Sequence, residues 1–100
     1  MKILKFTTEG KCEEKEISGT LESLQAEVGG YIENVRLFAD KDIAVLVDEE
    51  GRLKGKSENR SMTSLVGDII IVGVKGKDFC DVPKRKVKCL KNIFCPEVMG

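Results

Sequence analysis

The chain contains no histidine, which excludes the Ser-His and Cys-His arrangements that activate a nucleophile near neutral pH. Much ordinary hydrolase chemistry goes with it. Aromatic residues are scarce, one tyrosine and four phenylalanines, so base stacking is poorly provided for. No apolar run approaches the roughly eighteen residues of a membrane helix. Met1 to Phe6 is too short in its apolar part for a signal peptide and alternates like a strand. A cytoplasmic location, without membrane attachment, is the default that follows. The four cysteines, Cys12, Cys80, Cys89 and Cys95, contain no CxxC pair, and without histidine a zinc site would take all four thiolates. Reduced, partly buried thiols are expected, ahead of disulfides or a bound metal, and no cofactor is implied. A phosphate loop is also missing: Gly29-Gly30 follows a helix, whereas a loop that cradles phosphate must precede one.

What is present suits one folded unit. One hundred residues, 41% apolar and 34% charged, make a single domain over 1–100 with a well-solvated surface. The net charge is zero, but its distribution is uneven. Residues 1–50 carry six basic groups against twelve acidic ones, and residues 51–100 carry eleven against five. Such asymmetry marks a partner-binding surface, or disappears when the halves pack against each other.

The stretch from Leu21 to Val47 organises the chain. Leu21, Leu24 and Val28 recur at helical spacing, Thr20 stands at the N-cap with Glu22 in the first turn, and Gly29 offers the left-handed closing position. Two β-rich runs follow, Tyr31 to Phe38 and Ile43 to Val47, and read as a hairpin. In its first arm Tyr31, Val35 and Leu37 share one face, and Ile32 and Phe38 the other. Upstream, Lys2 to Thr7 reads as a strand with Ile3 and either Leu4 or Phe6 inward, a turn at Glu9-Gly10-Lys11, and a second short strand at Glu14 to Ile17. Asp48-Glu49-Glu50-Gly51 has the composition of a solvated hairpin tip with Gly51 at positive φ, and Arg52-Leu53-Lys54 reads as a brief edge strand. Ser57 and Asn59 can cap a short helical turn whose apolar side is Met62, Leu65 and Val66. Ile69 to Val74 lacks alternation and reads as a central strand covered on both faces. Pro83 opens a final helix, 83–95, with Val87, Leu90, Ile93 and Phe94 at helical spacing.

The candidates for chemistry are few. Lys84, Arg85, Lys86, Lys88 and Lys91 form a basic face on the last helix, a match for a solvated surface, an acidic protein or nucleic acid. Tyr31 can set its hydroxyl on a ligand beside Gln25 and Gly30, or sit half-buried with one wet end. Asp48, Glu49 and Glu50 are adjacent and point to different sides, which argues against paired-carboxylate catalysis.

Leu24-Gln25, Val28-Gly29-Gly30-Tyr31-Ile32-Glu33, Val47-Asp48-Glu49-Glu50-Gly51, Asn59 and Val66-Gly67-Asp68-Ile69-Ile70-Ile71-Val72-Gly73, in that order, resemble domain-of-unknown-function family 3846. The resemblance spans about residues 20–75. It implies a small protein of phage, plasmid or conjugative elements with no established activity. It also draws attention to Gln25, Glu33, Glu49, Glu50 and Asn59. The family pattern usually reads Asn-Glu-Glu-Gly at the turn and Leu-Pro before the asparagine, where this chain has Asp48 and Lys56-Ser57. The basic final helix lies outside the resembling stretch.

The expectation is an α+β domain with an antiparallel sheet of four to six strands, one helix after the N-terminal strands and one C-terminal helix. Function is expected to be binding without catalysis, with a host or element-encoded protein as partner. Alternatives are a small-ligand or nucleotide sponge and nucleic-acid binding through the basic helix. Sheet edges that pair two copies would make a homodimer.

Overall fold

The computed structural model describes residues 1–36 and 40–94. In chain order its elements are β1 (Lys2–Phe6), β2 (Cys12–Glu16), α1 (Leu21–Val28), β3 (Ile32–Val35), β4 (Ile43–Asp48), β5 (Ile69–Lys75), β6 (Asp78–Cys80) and α2 (Lys84–Phe94). All strand pairs are antiparallel, in the order β2-β1-β5-β4-β3, with β6 also on β5. The α+β class, a six-stranded sheet and two helices in the expected places, is what the residues form.

β5 holds the middle because its run of Ile69, Ile70, Ile71 and Val72 has no polar face to offer water. All four are fully buried. β1 pairs with one edge through Ile69 to Ile71 and β4 with the other through Ile70 to Gly73. This register aligns Leu4, Ile71 and Val45 in one cross-strand row. Alternation then sorts the core into two layers. Leu4, Phe6, Ile43, Val45, Val47, Ile69 and Ile71 face α2 and the 57–66 segment, where Met62, Val82 and Leu90 complete the layer. Ile3, Ala44, Leu46, Ile70 and Val72 face α1, meeting Leu24 and Val28. Ile3, Leu4 and Phe6 are therefore all inward, on opposite faces, because β1 is covered on both sides.

α1 is delimited as its sequence dictates. Thr20 Oγ1 accepts the Ser23 N–H at 3.1 Å, and Gly29, at φ 81°, closes the helix by donating to Gln25 O. Leu24 and Val28 are buried, whereas Leu21 is mostly exposed, so the inward stripe is shorter than its spacing suggests. In α2, Leu90 is buried, Val87 and Phe94 pack on the same layer, and Ile93 lies on the solvent side. Phe94 meets Phe6 edge-to-face, ring centroids 5.9 Å apart.

Several local expectations are corrected. β3 occupies Ile32–Val35; Leu37, Phe38 and Cys95, for which faces or roles were expected, lie outside the described residues. Ile32 and Val35 do face opposite layers. β2 starts at Cys12 and ends before Ile17. Arg52 to Lys54 is a turn, because Lys54 N donates to Glu50 O and Gly55 N to Arg52 O, bonds that fold the chain on itself. Gly51 does not adopt positive φ; what it needs is room, since a Cβ there would stand 3.0 Å from Val66 Cγ2. The segment around Met62 forms turns and a bridge from Glu58 to Val66, not a helical turn.

Candidate functional site

The motifs at Gly29-Gly30 and Asp48-Glu49-Glu50-Gly51, separate in sequence, meet at one carboxylate. Asp48 ends β4 one residue after an unbroken buried run, and its side chain is only 1% exposed. It is not a solvated hairpin tip: alternation and the strand's position carry it inside, and two lysines follow it. Lys54 Nζ donates to Asp48 Oδ2 at 2.8 Å and to Gly29 O at 3.0 Å. Lys56 Nζ lies 2.7 Å from the same oxygen and donates to Val28 O at 2.8 Å. Oδ1 accepts the Glu50 N–H at 2.9 Å. Burial would push this carboxyl up, but the hydrogen bonds from Lys54, Lys56 and the Glu50 amide hold it well below the usual carboxylate range. The two ammonium groups also sit at the negative end of α1, on carbonyls the helix leaves unpaired.

This cluster explains Gly30. A Cβ there would fall 2.5 Å from Asp48 Oδ1 and 2.6 Å from Lys54 Nζ. Gly30 is thus packed on a charged cluster. The two positions singled out by the resemblance also touch: Lys56 supplies the counter-charge to Asp48.

Asn59 is fully buried. Its Nδ2 donates to Phe6 O at 2.9 Å and Gly67 O at 3.0 Å, and its Oδ1 accepts the Ser61 and Met62 N–H groups. It ties β1 to the two ends of the 57–67 segment and presents nothing to solvent.

The basic face of α2 is divided. Lys86 pairs with Asp40, Arg85 with Asp42 at 3.0 Å, and Lys91 with Glu14 at 3.1 Å. These acids come from the first half of the chain, so folding cancels much of the sequence's charge asymmetry. Lys84, Lys88 and Lys91 line one side of a trough of about 510 Å³ with Glu14 and Cys12 on the other. Cys12 packs against the α2-side core, Cys80 is half-buried and Cys89 exposed. Among the described residues no three His, Cys, Asp or Glu side chains gather as a metal site requires.

Glu33 and Glu49 come together elsewhere. With Val35, Val47, Arg52, Leu53, Leu65 and Val66 they line a groove of about 290 Å³ at the β3 end of the α2-facing layer. Glu33 and Glu49 are exposed, and among the described residues neither joins an ion pair. Arg52 is held by Ser64 O at 2.7 Å. Leu53 is 87% exposed and Tyr31, at the head of β3, is 66% exposed rather than half-buried. Glu50 lies exposed at the neighbouring turn and Gln25 is half-buried on α1. Sequence reading missed Leu53 and the Lys54, Lys56 pair. The available signal was an acidic residue directly after five apolar ones, with lysines six and eight residues on.

β3 is also the last strand of the sheet: among the described residues only β4 pairs with it. Tyr31 O accepts the Glu49 N–H at 2.8 Å. Alternation then places Glu33 and Val35 in the pairs bonded to β4 and turns the N–H and C=O of Ile32 and Asn34 outward. The bond from Val74 N to Asp42 O at 2.8 Å fixes the same phase from the other side of β4.

Comparison with curated proteins and with solved structures finds no match. Residues 1–94 match the family model described as domain of unknown function DUF3846, a span that takes in β1, β2 and α2 as well as the motif-bearing centre. With its β-sheet, both helices and the Asp48 cluster all inside the matched residues, this chain belongs to the DUF3846 family.

Proposed function

We propose that the protein is a non-enzymatic interaction domain that engages a protein partner along β3. The observation that carries this reading is an open strand edge beside an apolar-floored groove, flanked by the exposed side chains of Tyr31 and Leu53. Such an edge offers unsatisfied backbone groups, which give affinity, next to a pocket, which gives selectivity. Candidate residues outside this edge support the same choice, because Asp48, Asn59 and Gly30 are engaged in holding the fold. The family resemblance supports a partner among proteins of a host cell or of a mobile element, where an accessory domain acts by occupying a surface. Nucleic-acid binding through α2 is less well supported, since Arg85, Lys86 and Lys91 each meet an acid from the first half of the chain.

The test uses the whole chain as bait in a low-salt host-cell lysate, beside the variant Asn34→Pro. Proline there removes an N–H that β4 does not use, so the fold is expected to persist. A protein held by the wild type and released by the variant supports the reading. Equal retention, or none, counts against it.

A further inference from the structure

We propose that the occupant of the β3 edge is an extended partner segment of sequence apolar, any residue, basic, apolar, added antiparallel to β3. This deepens the reading above and rests on it.

The sequence requirement follows from the geometry. Ile32 and Asn34 present the outward backbone groups, so an added strand forms its bonded pairs opposite them. The residue opposite Glu33 then lies on the α2-facing layer, beside a carboxylate that pairs with no cation among the described residues. Glu49, in the turn just after β4, adds a second carboxylate to the rim of the groove. A lysine or arginine at that position pairs with Glu33. The residue opposite Val35 lies on the same layer beside the groove, whose apolar floor is Val35, Val47, Leu65 and Val66 with exposed Leu53 at the rim. On the other layer, the residue opposite Ile32 extends the core in which Ile32 already packs against α1. Only the position opposite Asn34, an exposed polar residue, is left unspecified.

The same register argument disfavours a second copy as occupant. A two-fold axis through the edge pairs even with even and odd with odd residues, so Glu33 would face Tyr31, Glu33 or Val35 of the other copy. Arg36 has the wrong parity and stays on the opposite layer. No β3-to-β3 register supplies the cation the rim lacks.

The experiment measures fluorescence anisotropy of labelled peptides centred on Val-Thr-Lys-Val and on Val-Thr-Glu-Val, titrated with the full chain. The lysine peptide is expected to bind roughly five-fold tighter, the ratio a cross-strand pair of opposite against like charge sustains. Glu33→Lys, an exposed substitution that leaves the fold intact, should invert that preference, and Asn34→Pro should abolish binding of both. Equal affinity for the two peptides, or no inversion in Glu33→Lys, overturns the basic-segment assignment. A lysate partner that Asn34→Pro still releases would then leave the edge reading standing alone. A concentration-dependent dimer in sedimentation that Asn34→Pro dissolves would overturn the proposal in favour of a second copy.

Discussion

Asp48 carries the strongest electrostatic commitment of any described residue, and its behaviour with pH follows from its sign. A carboxyl held below its ordinary value contributes stability that is complete above the unfolded value of 3.8 and is lost as pH falls toward the lower folded one. Asp48→Asn should therefore flatten the acid limb of a stability-versus-pH curve below about pH 4. At neutral pH it should cost about 1–3 kcal/mol, less than a fully buried pair because both lysines reach solvent. Denaturant unfolding across that pH range measures both effects; an unchanged acid limb would refute the assignment. Asn59→Ala leaves Phe6 O, Gly67 O and two amides short of a partner, and should cost about 2–4 kcal/mol by the same measurement. Neither role was legible in sequence. Asp and Asn beside glycine-rich turns ordinarily signal exposed turn chemistry, and only packing reveals that these two point inward.

At the scale of elements, periodicity was informative wherever a segment had a single environment. β5, with no polar alternation, lies centrally, and α1 begins and ends at its cap residues. Periodicity failed where it could not say how far a face extends: Leu21 and Ile93 continue their stripes past the edge of the surface beneath them. Leu90→Ala should thus cost about 2–4 kcal/mol, while Ile93→Ala should change stability by less than about 0.5 kcal/mol. Thermal unfolding of the pair separates them. The edge makes a second contrast. Val35→Pro removes an N–H that β4 uses and should unfold or loosen the hairpin, whereas Asn34→Pro should leave the far-ultraviolet circular dichroism unchanged. Equal damage from both would show that the outward phase of Ile32 and Asn34 is wrong.

For the whole molecule, the opposite charges of the two chain halves become internal complementarity. Within the first half, Lys5 of β1 and Lys15 of β2 meet on Glu27 of α1, whose carboxyl burial would push up and whose hydrogen bonds from both lysines hold down. Because two of the three α2 pairs are largely solvent-exposed and the third, Lys86 with Asp40, is only partly buried, raising salt to about 1 M should shift stability by less than about 1 kcal/mol. A larger loss, seen in denaturant unfolding, would mean that these pairs dock the helix. By itself the sequence determined the fold class, the limits of α1 and the central strand, because hydrophobic period, capping residues and glycine act over a few neighbouring positions. Tertiary structure alone decided that Asp48 and Asn59 are interior, that Arg52 to Lys54 turns back instead of pairing, and that β3 is an exposed edge. Those outcomes depend on which distant strands pair and what they cover, a matter of long-range register that no local pattern encodes.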